Sequence, residues 1–161
     1  MSLNAFVPVL GKSNRPAGQA LVEFTLVFLL FLVVAWIPAD FGLAFYTGQL
    51  AQNASREGAR IAAADRNLLS GTTSCTMPSC SGNIFTETAA RISSALLPGA
   101  TITLSLDADT GANCNRMVAV TVSGTYKFFF YQLLGWFGAT NLNNTAITRQ
   151  TRMRWEPQAG C

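Results

Sequence analysis

An acidic residue inside an apolar stretch is the first chemical feature of this sequence. Glu23 lies between the apolar segment Ala20–Val22 and the run Phe24–Ala39, which contains no charged residue. An ionised carboxylate in such surroundings costs about 2.5–3.5 kcal/mol on membrane-insertion scales unless it is paired. Glu23 is therefore a candidate for a charge-assisted bond with a cationic group. A simpler interpretation is an acid that favours the positive end of a helix dipole, worth about 0.3–1 kcal/mol.

Four cysteines are the second chemical feature. Cys75 and Cys80 share one Ser/Thr/Gly-rich segment, residues 67–83, and a local disulfide between them is expected. Disulfides are typical of proteins outside the cytoplasm. A zinc site is the alternative use of four cysteines, but only this pair is close in sequence, and an extracytoplasmic location argues against it.

The composition argues against most enzymes and against nucleic-acid binding. The chain of 161 residues contains no histidine, so the usual general base and the Ser-His-Asp arrangement are excluded. Eleven Lys and Arg against eight Asp and Glu give a net charge of +3, and the basic residues form no stripe that could follow a phosphate backbone. We predict no enzymatic activity, no catalytic residue, no cofactor, no metal and no nucleic-acid partner. A cysteine or paired-carboxylate enzyme would need a free low-pKa thiol or two facing acids.

One apolar helix is expected to position Glu23. Residues 1–18 contain Lys12 and Arg15 and no acidic residue, and the apolar run after them approaches the roughly 20 residues that cross a hydrocarbon core. Because no basic residue follows the run until Arg56, the positive-inside rule keeps residues 1–18 in the cytoplasm and sends the main domain outward. A secretory signal that is cut after Ala39 is the alternative.

Three motifs resemble a known family. The segment Gly18-Gln19-Ala20-Leu21-Val22-Glu23-Phe24 is similar to the processing site of type IV prepilins. With Asn53-Ala54-Ser55-Arg56-Glu57-Gly58-Ala59-Arg60 and Met153-Arg154, the layout resembles the TadE-like minor pilins of tight-adherence, or Flp-type, pili. The resemblance implies a cut after Gly18, Gln19 as the new N-terminus, and Glu23 as the acid used in assembly. Major pilins of that system are shorter and usually carry tyrosine at the position of Phe24, so length favours the minor-pilin branch.

The resemblance also implies partners and a location. The partners would be other pilin subunits, a prepilin peptidase, the inner-membrane pilus assembly platform and membrane lipid. The location would be the bacterial inner membrane, with a single span and a periplasmic C-terminal domain, and afterwards an adhesive pilus or the cell surface. An unprocessed membrane-anchored adhesin or periplasmic scaffold is the alternative function. The mature N-terminus distinguishes them, since Gln19 indicates pilin processing, Met1 a permanent anchor and Asp40 a secreted domain.

The helix is predicted to continue beyond the membrane. Residues 40–66 are rich in Ala, Leu, Gln and Arg and lack proline, and a helix over 19–66 would be about 70 Å long. Ala54, Gly58 and Ala62 lie four residues apart on one face, where small side chains allow close approach of helix backbones. This row would pack either between subunits or against the chain's own sheet.

Residues 67–161 are expected to form an extracytoplasmic α+β domain. The pattern predicts a short second helix over Ile84–Leu97 and strands around Ile102–Leu106, Val118–Val122 and Ala146–Trp155. The predicted fold is therefore pilin-like α+β: a leader (1–18), a long N-terminal transmembrane helix (19–66), the second helix and a three-stranded antiparallel sheet.

Three further expectations depend on these strands. An antiparallel third strand would bring Cys161 close to Cys114, which predicts a second disulfide between them. The segment Asp107–Asn113 carries oxygen ligands that suit calcium but lacks the distal glutamate, so a plain turn is preferred. The aromatic run Phe128–Phe137 either fills the core or forms an exposed patch for the membrane surface or another pilin.

Overall fold

The computed structural model describes residues 17–108, 115–129, 131, 138 and 143–157. In chain order its elements are α1 (Ala17–Ala64), β1 (Gly71–Thr76), α2 (Asn83–Ala90), β2 (Thr101–Leu106), β3 (Met117–Lys127) and β4 (Asn144–Arg154). The chain divides into two compact units, one up to Trp36 and one from Ile37 onward. Helix α1 contributes residues to both, which confirms the prediction of a long apolar helix that continues past Asp40.

The N-terminal unit presents an apolar helical surface. Its large apolar side chains are exposed, from Leu21 and Phe24 to Val34, and Gly18–Ala64 contains a stretch long and apolar enough to cross a membrane. A helix suits that environment because it satisfies its backbone hydrogen bonds internally. The hydroxyl of Thr25 is satisfied in the same way, since its Oγ1 donates to the carbonyl of Leu21 at 2.8 Å.

The C-terminal unit is built on an antiparallel sheet in the order β1-β2-β3-β4. Alternating aliphatic residues put one face of β2 and β3 in the core: Ile102, Leu104, Leu106, Val118, Val120 and Val122 are all buried. Helix α1 covers this inner face with small buried residues that include Ala51, Ala54, Ala59 and Ala62. The predicted α+β class is confirmed, but the sheet has four strands rather than three.

The additional strand is β1, which lies in the segment expected to be a loop. Gly71 pairs with Leu106 and Thr76 with Thr101 along β2. Five of its six residues are exposed, so no alternation of apolar and polar residues marks this edge strand. Its sequence signal is the β-branched threonines, whose preference for strands is weak on its own.

Helix α2 is shorter than predicted. It ends at Ala90, and turns follow in which the amides of Leu96 and Leu97 both donate to the carbonyl of Ser93, at 3.2 and 2.9 Å. These turns place the fully buried Leu97 against Gly124 of β3. A Cβ added to Gly124 would lie 2.7 Å from Cγ of Leu97. The apolar residues after Ala90, such as Ile92 and Leu97, are buried in these turns and not in a helix. Their spacing therefore made the predicted helix too long.

One predicted disulfide is present. Cys75 of β1 is bonded to Cys80 in the turn that follows, with 5.3 Å between their Cα atoms. Cys114 and Cys161 lie outside the described residues, as do most residues of the acidic turn and of the aromatic run. Asp107, the first residue of that turn, lies 3.7 Å from the guanidinium of Arg152.

Candidate functional site

The residues predicted to take part in processing and assembly lie on the exposed surface of the first unit. Gly18, Gln19, Glu23 and Phe24 are all exposed, and the Phe24 ring stacks on Phe28 with 6.0 Å between centroids. No hydrogen bond or ion pair joins Glu23 to any residue in the described part of the chain. An added Cβ at Gly18 would have no heavy atom of the structure within 4 Å, so packing does not explain a glycine here.

Asp40 is a functional candidate of a different kind, because it is a fully buried acid at the start of the folded unit. Its Oδ1 accepts a hydrogen bond from the backbone N–H of Phe129 at 3.0 Å and one from the hydroxyl of Tyr126 at 3.4 Å. Hydrogen bonds of this kind offset the cost of removing a carboxylate from water. Asp40 therefore ties α1 to the end of β3.

The contact with Asp40 also changes the chemistry of Tyr126. Burial of the phenol, together with the negative charge of Asp40 and the hydrogen bond to it, raises the pKa of Tyr126 above its ordinary value. The phenol therefore stays protonated and donates to the carboxylate. Sequence reasoning missed this pair, although an acid that directly follows an apolar run, with no basic residue within the next turns, is a signal for an internal partner.

Aromatic rings surround the same point of the folded unit. The Phe41 ring lies 5.6 Å from Phe128 and 6.3 Å from Tyr131, centroid to centroid, and Tyr126 meets Phe128 edge to face. Phe128 is buried and Tyr131 is half-buried, whereas Phe129 is 65% exposed. The described part of the run 128–137 thus serves both roles considered for it, as core and as exposed surface.

The row of small residues lies inside the chain's own fold. Ala54 and Ala62 are fully buried. A Cβ added to Gly58 between them would overlap the Oγ1 of Thr88 in α2 and lie 3.2 Å from Cγ1 of Val120 in β3. The structure therefore places this row against its own second helix and sheet.

A charge cluster lies on the opposite, solvated side of the same helix segment. The guanidinium of Arg60 donates two hydrogen bonds to Glu57, at 2.7 and 3.1 Å, and Arg91 of the turn after α2 lies 3.4 Å from the same carboxylate. The bond from Arg60 lowers the pKa of Glu57. Exposed pairs of this kind add little to stability, and this one joins α1 to the end of α2.

Comparison with known proteins addresses the N-terminal part of the chain. A family model described as TadE-like protein matches residues 18–60. This segment is TadE-like. No significant match was found among curated proteins or among solved structures. The match begins at Gly18 and includes Glu23 and the motif from Asn53 to Arg60, so the resemblance seen in these two N-terminal motifs is confirmed.

The TadE-like segment gives a coarse functional assignment. It indicates a role in the assembly of Tad pili and interaction with other pilus components, and the family is structural rather than catalytic. Together with the apolar helix, it indicates that the protein is anchored in a membrane. Within the described residues, no group of three or more Cys, Asp or Glu side chains could hold a metal ion.

Proposed function

We propose that this chain is a minor pilin of a tight-adherence pilus, cut after Gly18 by a prepilin peptidase and then incorporated into the pilus or used to prime it. The mature chain would begin at Gln19. Its Glu23 would receive the new α-amine of a neighbouring subunit, which replaces two isolated charges in lipid by one charge-assisted pair.

The observation that carries the proposal is the state of Glu23. It projects from a helix with an exposed apolar surface, and no described residue of its own chain pairs with it. Asp40, the next acid on α1, is hydrogen-bonded within its own chain. Of these two acids, Glu23 is the one that an intermolecular cation would stabilise.

The remaining features agree with an extracytoplasmic domain. Positive charges precede the apolar helix at Lys12 and Arg15, which favours a cytoplasmic N-terminus. The Cys75–Cys80 disulfide favours an oxidising compartment for the C-terminal unit. Adhesion would then be a property of the assembled pilus.

A secreted domain released by a cut after Ala39 is disfavoured. Helix α1 is continuous from Ala17 to Ala64, so this cut would fall inside a helix and directly before the buried Asp40. An unprocessed anchor remains the alternative that the experiment must distinguish.

The experiment compares substitutions at two helical glycines where the fold leaves room for a side chain. Among the residues that the structure describes, none has a heavy atom within 4 Å of a Cβ added at Gly18 or at Gly42. We expect Gly18→Val to leave the full-length precursor in the membrane, whereas Gly42→Val is processed normally. The readout is N-terminal sequencing of membrane-extracted protein, in cells with and without the prepilin peptidase.

The sequencing result decides between the three interpretations. A mature N-terminus at Gln19 that requires the peptidase supports the proposal. An intact Met1 in the wild type would instead indicate a permanent anchor, and a start at Asp40 would indicate secretion.

A further inference from the structure

The folded unit carries an exposed aromatic patch that the Glu23 pairing does not use, and one of its rings, Phe41, also contacts the buried Phe128. The patch consists of Phe41, Phe45 and Tyr46 on α1 and Phe129 after β3. Their side chains are 54–68% exposed. We propose that this patch sits in the lipid headgroup interface of the membrane that α1 crosses, and that the partner it fits is a phospholipid surface.

The patch follows the apolar part of α1 without interruption. Phe41 is two residues beyond Ala39, the end of the uncharged run, which is about 3 Å along a helix. The other side of this helix segment faces the protein, and Asp40, Thr47 and Ala51 are buried there. From Phe41 to Ser55 the helix itself carries no charged residue, and the charged group beside it at Gly48 is the guanidinium of Arg149, a cation that suits anionic headgroups.

Two backbone N–H groups beside the patch are hydrogen-bonded within the protein, which suits a less polar environment. The N–H of Phe129 donates to Asp40 at 3.0 Å, and the N–H of Phe128 donates to the carbonyl of Asn143 at 3.1 Å. These two bonds lower the cost of moving the backbone of Phe128 and Phe129 out of water, because both N–H groups already have partners in the protein. The Asp40 carboxylate itself is covered and does not face the lipid.

The side-chain types favour lipid over a second copy of the chain. Tyrosine is enriched at the depth of the headgroups, which suits Tyr46, and the exposed Lys127, two residues before Phe129, can reach phosphate with its flexible stem. Chain connectivity also holds Phe41 at the membrane boundary in every anchored molecule, before any assembly occurs. The inference rests on the membrane anchoring within the proposed function and not on processing at Gly18.

The test is photo-cross-linking of the full chain in phosphatidylethanolamine–phosphatidylglycerol vesicles. The photoreactive residue p-benzoylphenylalanine replaces Phe129 or Phe45, each in a separate variant. Leu69 is the matched control, because it is also an exposed apolar residue (85%). It lies just before β1, whose first residue, Gly71, pairs with Leu106 at the end of the sheet opposite to Phe129. Phe31, in the apolar helix, is the reference for membrane insertion.

We expect phospholipid adducts, detected by mass spectrometry, at positions 129 and 45 at several times the yield at position 69. Adducts to a second copy of the chain at position 129, or a lipid yield no higher than at position 69, would overturn the inference while leaving anchoring intact if position 31 still labels. Failure at position 31 would overturn the anchoring as well.

A pair of Asp40 variants tests whether the hydrogen bond to Asp40 positions Phe129 at the lipid surface, as opposed to nonspecific adsorption of apolar side chains. Asp40→Asn keeps an oxygen that can accept from Phe129, whereas Asp40→Leu removes it. We expect Asp40→Leu to reduce the lipid adduct at position 129 but not at position 45, and Asp40→Asn to preserve both. Equal yields at position 129 in the two variants would show that Asp40 does not hold the patch at the lipid surface.

Discussion

Asp40 and Glu23 on α1 are both carboxylates in apolar surroundings, and they differ in where their hydrogen-bonding or ionic partners come from. Asp40 is buried within the folded unit and accepts hydrogen bonds from Phe129 and Tyr126. Glu23 is exposed on an apolar helix and has no partner in the described part of its own chain. The first acid therefore contributes to the stability of the fold, and we infer that the second contributes to assembly.

At the residue scale, loss of the Asp40 carboxylate should destabilise the folded unit. We expect Asp40→Leu to lower the free energy of unfolding by about 1–3 kcal/mol, because it leaves the part-buried Phe129 N–H and the buried Tyr126 hydroxyl without this acceptor. Asp40→Asn should cost less, since it keeps one acceptor oxygen. Thermal unfolding of both variants in detergent micelles measures the difference, and equal losses would contradict the role of these bonds.

The raised pKa of Tyr126 predicts a loss of stability at alkaline pH. The folded state holds the phenolic proton above pH 10 or so, where an unfolded tyrosine releases it. The contribution of this group is therefore complete below about pH 10 and is lost as the pH rises through the folded-state value. Tyrosinate absorbance should include a titration above the ordinary tyrosine range, and Asp40→Asn should move that titration to lower pH. An unchanged titration in the variant would argue against coupling to Asp40.

At the element scale, the small residues of α1 determine how closely the helix approaches α2 and β3. Gly58 is the tightest point, because Thr88 and Val120 occupy the space of its missing side chain. The Thr88 hydroxyl is itself held by a hydrogen bond to the carbonyl of Ile84. This neighbour cannot rotate away without losing that bond.

Alanine at this position should therefore overpack the core. We expect Gly58→Ala to reduce stability by about 1–3 kcal/mol. Gly42→Ala is the matched control, since an added Cβ there meets nothing within 4 Å and alanine is favoured over glycine in a helix by up to about 1 kcal/mol. Chemical denaturation of both variants tests this, and a neutral Gly58→Ala would contradict the packing.

Strong periodic patterns made most elements predictable from the sequence. The apolar run predicted α1, and the alternation of Val118, Val120 and Val122 predicted β3, because burial imposes these spacings. Strand β1 was missed since an edge strand of exposed threonines has no such alternation. The tie between Asp40 and Phe129 was missed for another reason: it joins residues 89 positions apart, and only the folded sheet brings them together.

At the scale of the whole molecule, the chain combines a folded unit in which Asp40 is hydrogen-bonded with an apolar helix whose acid, Glu23, we propose is paired by another subunit. We expect Glu23→Gln to insert into the membrane as well as the wild type, because the substitution removes a charge from lipid. Its incorporation into pili should fall by roughly 10- to 100-fold, which corresponds to the loss of a charge-assisted bond. Quantitative immunoblotting of sheared pili and of membranes measures the two quantities.

Thr25→Val is the control for this variant. The Thr25 hydroxyl bonds to its own helix at Leu21, so its removal takes away a nearby polar group but no intermolecular partner. Normal incorporation is expected. A decrease equal to that of Glu23→Gln would indicate a general effect of polarity in this helix.

Carbodiimide cross-linking of assembled pili tests the pairing of Glu23 most directly. Pili are assembled from a mixture of nitrogen-15-labelled and unlabelled subunits and treated with an apolar carbodiimide, which joins a carboxylate to an adjacent amine as an amide. We predict a cross-linked peptide between Glu23 of one isotope and the α-amine of Gln19 of the other. Cross-links confined to a single isotope, or formed by Glu23 only with other amines, would contradict the account.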